Sequence, residues 1–110
     1  MYTIYGIKNC DKIKKIIKEA TSFKLNFEFV DFKKNPPSNK KLKQWKKELG
    51  QIPVNNKSRV FKEFKEEYES STEENQIHLL IENTSAIVRP IIEKDGCAIC
   101  SGVKSIQDFL

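Results

Sequence analysis

The first twenty residues constrain the fold more than any other part of the chain, because they join a short strand to an amphipathic helix. Residues 2–5 alternate as a half-buried strand does, and Gly6 interrupts that pattern. Apolar residues then recur at helical spacing on one face: Ile13, Ile16, Ile17 and Ala20. The sequence therefore predicts a strand, a turn at residues 7–9 and a helix that begins after Cys10.

The cysteine at this junction is the first candidate for chemistry. Backbone N–H groups without partners and the positive end of the helix dipole would both stabilise the thiolate of Cys10 over its thiol. Lys8, Lys12 and Lys14 are nearby in sequence and add positive potential. A thiol in such a setting has a pKa of roughly 3.5–7.5 and is a nucleophile at neutral pH. The alternative is a small buried hydrophobic residue, the commonest role of a free cysteine.

Composition bounds the class of protein. A chain of 110 residues with 38% hydrophobic and 32% charged residues fits one soluble globular domain. No apolar run approaches the ~18 residues of a membrane span, and no signal-peptide pattern precedes the first strand, so we expect a cytoplasmic protein with reduced thiols. The net charge of +5 favours anions without choosing among oxyanions, glutathione carboxylates, acidic proteins and nucleic acids.

The rest of the chain divides into a helical middle and a return to strands. Residues 27–32 form a second strand, which completes a βαβ unit with parallel strands. Three helices follow, with apolar stripes led by Leu42 and Trp45, by Phe61 and Tyr68, and by Ile77 and Leu80. Ser38 or Asn39 caps the first of these, Gly50 ends it, and Ser71 or Thr72 caps the last.

The C-terminal part predicts a hairpin and a final helix. A strand over residues 86–93 is interrupted near its start by Pro90, and Asp95-Gly96 is a favoured turn pair. Residues 97–100 form the returning strand, and a short helix carries Ile106, Phe109 and Leu110. The order is that of a thioredoxin-like α/β fold, a mixed four-stranded sheet in a single domain over residues 1–110. Its core comprises residues 1–33 and 86–110, and residues 34–85 are a helical insertion.

Four segments carry a resemblance to a known family. They are residues 5–11 (Tyr-Gly-Ile-Lys-Asn-Cys-Asp), Asn55, residues 87–91 (Ile-Val-Arg-Pro-Ile) and residues 102–104 (Gly-Val-Lys). In this order they resemble the arsenate reductase/Spx superfamily, and most closely its YffB-like subgroup. The resemblance covers nearly the whole chain, and its specificity lies in the cysteine motif combined with the later Arg-Pro pair.

The resemblance implies roles for five residues. Cys10 takes the position of the nucleophile, Arg89 that of an oxyanion-binding arginine, and Pro90 that of a cis-proline, which costs only about 0.5–1 kcal/mol. Lys104 and Asn55 take two further arginine positions. Lysine keeps the positive charge of arginine but not the planar guanidinium that binds an oxyanion through two hydrogen bonds. Asparagine has no charge.

Two functions follow from this resemblance. The first is a thiol-dependent reductase of the arsenate reductase type, without bound cofactor or metal, that uses Cys10 and is recycled by glutathione or a glutaredoxin-like protein. Residues 11–14 depart from the Gly-Thr-Ser-Arg of arsenate reductases, which favours a disulfide over arsenate as substrate. The alternative is an Spx-like transcriptional regulator that binds RNA polymerase, although Ile13 stands where those regulators carry a second cysteine.

Other patterns have plainer interpretations. Cys97 and Cys100 are three apart on a strand, on opposite faces and ~10 Å apart, beyond the ~7 Å limit for a disulfide. Zinc would need further ligands, and only His78 is at hand, so we expect structural packing. One other hypothesis stays open: if the last strand lies parallel to the first, Cys100 reaches the edge of Cys10 and resolves its disulfide. We interpret the lysines around Trp45 as the solvent-exposed face of a helix and expect no direct contact with nucleic acid.

Overall fold

The computed structural model describes residues 1–110, and its elements follow the predicted order. The strands are β1 (Tyr2–Gly6), β2 (Phe27–Asp31), β3 (Ile91–Lys94) and β4 (Cys97–Ser101). The helices are α1 (Asp11–Ser22), α2 (Asn39–Leu49), α3 (Arg59–Glu69) and α4 (Glu73–Glu82). Short 3-10 helices cover Thr84–Ala86 and Ile106–Asp108.

The strands form one mixed sheet in the order β2-β1-β3-β4. Strand β1 is parallel to β2 and antiparallel to β3, and β3 is antiparallel to β4. The predicted mixed four-stranded sheet of a thioredoxin-like fold is therefore confirmed. Because two antiparallel steps separate them, β4 runs in the same direction as β1.

A hydrophobic cluster covers each face of the sheet. The smaller one joins Ile4 and Ile92 of the sheet to Ile16 and Ala20 of α1. The larger cluster joins neighbouring strand residues such as Ile91 to the insertion helices, through Leu42, Trp45, Phe61, Tyr68, Ile77 and Leu80. Since side chains alternate along a strand, adjacent residues of β3 serve opposite layers.

Local signals decide where the helices begin and end. Ser38, Ser58 and Thr72 each cap a helix by accepting a hydrogen bond from a backbone N–H group three residues later. The structure thus selects Ser38 over Asn39 and Thr72 over Ser71. Gly50 ends α2 with φ of 91°, a left-handed conformation that glycine adopts without steric cost.

The predicted strand over residues 86–93 is shorter than expected. Strand β3 begins only at Ile91, after a cis peptide bond between Arg89 and Pro90, because a proline has no N–H group for the ladder. Ile87 instead pairs in an isolated bridge with Val54 of the insertion. The segment before Pro90 therefore belongs structurally to the central loop.

The outer strand β4 is irregular. The Asp95-Gly96 turn is confirmed, with φ of 52° and 86°. Beyond it, the pairing with β3 shifts between Ile92 and Glu93, so that Ile99 is an extra residue and lies 44% exposed. The N–H of Ala98 donates to the carboxylate of Glu48 in α2, at 2.9 Å.

A buried carboxylate fastens the insertion to the sheet. Glu93 of β3 is only 2% exposed and accepts three hydrogen bonds. Trp45 Nε1 donates at 2.8 Å and Lys41 Nζ at 2.9 Å, both from α2, while the Tyr5 hydroxyl donates at 3.0 Å. Burial and the neighbouring Glu93 carboxylate raise the pKa of Tyr5, which keeps that hydroxyl protonated. In the sequence, Glu93 simply follows two isoleucines and precedes a lysine, and nothing local indicates that it is buried.

Helix α1 packs closely against β1 at Gly6, which has no side chain. A Cβ atom on Gly6 would lie 2.6 Å from Cδ1 of Ile13, closer than real side-chain contacts allow. Glycine at this position therefore permits the close packing that fixes the start of α1.

Candidate functional site

Cys10 stands between the end of β1 and the first residue of α1. Its backbone is extended, with φ of −80° and ψ of 127°, and it is the N-cap residue of the helix. The Cys10 N–H donates to the carbonyl of Ile7 at 3.1 Å, and the Cys10 carbonyl accepts from the N–H of Lys14 at 2.9 Å. Its side chain is half-buried against the larger hydrophobic cluster. The structure places the thiol where the helix leaves backbone donors unpaired.

The pKa of Cys10 is lower than its ordinary value. Partial burial opposes ionisation, but hydrogen bonds from the backbone N–H groups of Ile13 and Lys12 and from the Arg89 side chain outweigh that effect. The positive charge of Arg89 lowers the pKa further. The sequence pointed to the neighbouring lysines as the source of positive potential, whereas the cation that acts on the sulfur comes from the far end of the chain.

Arg89 is held in place by its own segment. Its Nη1 donates to the carbonyl of Ser85 at 3.0 Å, and the residue is half-buried beside the cis-proline Pro90. The buried Nε–H of Arg89 has no hydrogen-bond partner. A half-buried guanidinium with an unpaired donor, close enough to the sulfur to lower its pKa, is suited to a negatively charged group at that sulfur.

The remaining candidate anion ligands stand apart from this pair. The Oδ1 atom of Asn55 accepts from the N–H of Lys57 at 3.1 Å, and the N–H of Asn55 donates to the carbonyl of Ala86 at 2.7 Å. Asn55 thus organises its loop, as asparagine commonly does. Lys104 is exposed, and its ammonium group makes no hydrogen bond or ion pair. The structure brings together Cys10 and Arg89 but not Lys104 and Asn55. The functional roles of all four residues stay predictions.

The two later cysteines differ from each other and from Cys10. Neither forms a disulfide. Cys97 is exposed, so the expectation of structural packing is wrong for this residue, and its interaction with the Glu48 carboxylate raises its pKa. Cys100 packs against the cluster beneath α1, and burial with the charge of Asp108 raises its pKa.

The hypothesis that Cys100 resolves a disulfide of Cys10 required two things: β4 parallel to β1, and Cys100 at the same edge as Cys10. The structure shows only the first. Strand β4 does run in the direction of β1, yet Cys100 pairs with Ile92, which in turn pairs with Ile4. Cys100 is therefore level with the middle of β1 and not with its end at Cys10.

No group of three or more His, Cys, Asp and Glu side chains is arranged to hold a metal ion. The longest helix, α1, has 12 residues, and none of the helices could span a membrane.

An Arg89→Ala variant tests the coupling between guanidinium and sulfur. In a Cys97→Ser/Cys100→Ser background, we expect alkylation of Cys10 by iodoacetamide at pH 6 to slow by about 10-fold or more, the cost of one charge-assisted hydrogen bond. Because the thiolate is the reactive form, the alkylation rate rises with pH. The loss of Arg89 moves the midpoint of this pH dependence to higher pH. Arg59→Ala, at an exposed arginine of α3, is the matched control. Equal pH profiles for the two variants would refute the coupling.

Fold and site together define a class of protein. A βαβ unit and a β-hairpin share one mixed sheet, with a cysteine at the first helix and a cis-proline beside its arginine partner, as in thioredoxin-like proteins. The chain belongs to the ArsC family, whose family model matches residues 5–109.

Individual relatives agree with this assignment. An uncharacterized protein of Haemophilus influenzae is 32% identical over 101 residues, which cover 90% of this chain and 89% of that protein. The solved YFFB protein is 29% identical, with a TM-score of 0.79 and coverage of 92% and 90%. A possible arsenate reductase from Streptococcus mutans shares the fold at 20% identity, with a TM-score of 0.81 and coverage of 98% and 96%.

Proposed function

We propose that this chain is a thiol-dependent reductase in which Cys10 is the nucleophile. The Cys10 thiolate attacks one sulfur of a disulfide, such as a mixed disulfide of glutathione. A new S–S bond joins Cys10 to glutathione, the original S–S bond breaks, and the other sulfur leaves as a thiolate with the electron pair. Arg89 and the first N–H groups of α1 stabilise the negative charge that moves between these sulfurs.

A second thiol must complete the cycle. Its thiolate attacks the glutathione sulfur, forms a new disulfide with it and releases Cys10 as a thiolate, so that the external thiol is oxidised. Glutathione or a glutaredoxin-like protein would supply this thiol, and a cytoplasmic location would keep it reduced. The proposal needs no bound cofactor and no metal.

The observation that carries the proposal is the pair formed by Cys10 and Arg89. The two residues are separated by most of the chain, yet a hydrogen bond from Arg89 and its charge lower the pKa of the Cys10 thiol. Nucleophilic cysteines are activated in such electropositive, partly exposed surroundings. Arsenate is the second candidate substrate, since related proteins include a possible arsenate reductase.

Steady-state kinetics with the purified chain test the proposal. The substrates are the glutathione mixed disulfide of 2-mercaptoethanol and arsenate, each with glutathione alone and with glutathione plus glutaredoxin. We expect reduction of the disulfide at a higher kcat/KM than that of arsenate, because Lys104 and Asn55 replace two arginine forks. Absence of turnover with every donor, together with retention of an RNA polymerase subunit, would favour the Spx-like regulator instead.

A further inference from the structure

The segment that carries Arg89 is held by the backbone of a loop in the helical insertion. The N–H of Asn55 donates to the carbonyl of Ala86 at 2.7 Å, and the N–H of Val88 donates to the carbonyl of Pro53 at 2.9 Å. These two bonds flank the isolated bridge described above. We refer to the pairing of residues 53–55 with residues 86–88 as the central clamp. Arg89 is the next residue along the chain.

The hydrogen bonds of the central clamp do what burial alone does not. Ala86 and Ile87 are both fully buried within the larger hydrophobic cluster. The hydrophobic effect is non-directional, so this burial keeps the segment inside the protein without fixing its register. A hydrogen bond requires both a distance and an angle. The bonds to the loop therefore set the direction of the backbone that enters Arg89.

Asn55 shapes the loop side of the central clamp. Its Oδ1 atom accepts from the N–H of Lys57 at 3.1 Å, and its carbonyl accepts from the N–H of Ser58 at 3.0 Å. These bonds close a turn over residues 55–58, and Ser58 in turn caps α3. An asparagine side chain that bonds the backbone two residues later stabilises such a turn. Asn55 thus joins the turn to the central clamp through its side chain, carbonyl and N–H group.

The guanidinium of Arg89 depends on the same segment. Its Nη1 donates to the carbonyl of Ser85 at 3.0 Å, one residue before Ala86, whereas the buried Nε–H has no partner in the protein. A shift of residues 85–86 would therefore move the acceptor that orients the guanidinium. Because the attraction between two charges falls with distance, such a shift weakens the effect of Arg89 on the pKa of Cys10.

We propose that Asn55 is a positioning residue, which holds the central clamp and through it keeps the Arg89 guanidinium beside the Cys10 sulfur. This inference rests on the proposed role of Cys10 as nucleophile and adds a residue that controls its activation. It differs from the role of anion ligand that the family resemblance implies for Asn55. In this proposal, Asn55 acts on the sulfur only through Arg89.

The test is a double-mutant cycle on the pH dependence of Cys10 alkylation. The four proteins are the wild-type chain, Asn55→Ala, Arg89→Ala and the double variant, all in a background that lacks the cysteines of β4. Iodoacetamide is uncharged, so it measures the thiolate fraction of Cys10 without requiring an anion site. Urea denaturation establishes that each variant is folded.

We expect Asn55→Ala to move the midpoint of alkylation about half a pH unit higher, which slows the reaction about threefold below that midpoint. The shift is upward because Arg89 favours the thiolate, and a displaced guanidinium favours it less. In the Arg89→Ala background, the same change should produce no further shift, since the residue through which Asn55 acts is absent.

Two further variants separate this role from a general loosening of the structure. Ser38→Ala removes a comparable side-chain bond, to the N–H of Lys41 at 3.0 Å, that lies outside the central clamp, and it should leave the midpoint unchanged. Asn55→Asp keeps an oxygen that accepts from the N–H of Lys57. It should restore the wild-type midpoint at about 500 mM salt, where the added charge is screened. Asn55→Ser, which forms such a turn more weakly, replaces the alanine variant if the latter is unfolded.

Three results would overturn the proposal. Equal shifts from Asn55→Ala with and without Arg89 would show that Asn55 acts on the sulfur by another route. An equal shift from Ser38→Ala would show a general effect of lost hydrogen bonds. An unchanged midpoint with a raised KM for an anionic disulfide would make Asn55 an anion ligand instead. Lack of disulfide reduction by the wild-type chain, with the expected alkylation profiles, would refute only the proposed reductase.

Discussion

The Cys10→Ser variant is expected to lose disulfide reduction by at least about 10³-fold relative to the wild-type chain. A serine hydroxyl does not ionise near neutral pH, and oxygen cannot form the mixed disulfide through which electrons pass. Arg89 and the first N–H groups of α1, which lower the pKa of the Cys10 thiol, would have no thiolate to stabilise. The measurement is kcat/KM with a glutathione mixed disulfide, alongside mass spectrometry for the glutathione adduct.

The matched control for this prediction is Cys97→Ser/Cys100→Ser. Both later thiols have raised pKa values, so we expect this variant to retain kcat/KM within about twofold and to form the same adduct. Reduction that survives in Cys10→Ser and disappears in the control would place the chemistry on β4. That result would overturn the assignment of Cys10.

The largest expected effect on folding belongs to Glu93. In a Glu93→Ala variant, the buried Trp45 Nε1–H loses its acceptor and the Lys41 ammonium, with 28% of its side chain exposed, loses its partner. Breaking a buried ion pair in this way costs about 3–5 kcal/mol. We expect the free energy of unfolding, measured by urea denaturation, to fall by that amount, with quenching or a shift of Trp45 fluorescence in the folded state.

An exposed ion pair provides the comparison. Glu73 is paired with Lys46 but 43% of its side chain is exposed, so Glu73→Ala should lower the free energy of unfolding by about 1 kcal/mol or less. Similar losses in both variants would show that burial of Glu93 adds nothing to the attachment of α2. The predicted contrast therefore tests the burial and not merely the charge.

Regular features of this fold were predictable because they depend on neighbours in sequence. The periodicity of Ile13 and Ile16, the cap at Ser38 or Asn39 and the Asp95-Gly96 turn all act within a few residues, and each is confirmed, with Ser38 as the cap. The paired position of Cys10 and Arg89 required the family resemblance, since nothing local in residues 85–90 points to a thiol at position 10.

What the sequence could not reveal depends on distant contacts. Glu93 is a carboxylate beside Lys94 in the sequence, and only its three donors in the fold explain its burial. The lysines near Cys10 are close along the chain, but the cation on the sulfur is Arg89. Likewise, the geometric argument for Cys97 and Cys100 assumed a regular strand, whereas the extra residue Ile99 lies between them.

The irregular outer strand has a consequence for how this protein meets copies of itself. A foreign strand that approached β4 would find the Ala98 N–H already occupied by Glu48 and the repeat of donors and acceptors broken at Ile99. Sheets that end in this way resist lateral growth into larger assemblies. The same few atoms that fasten α2 to the sheet thus also close this edge of the sheet to a further strand.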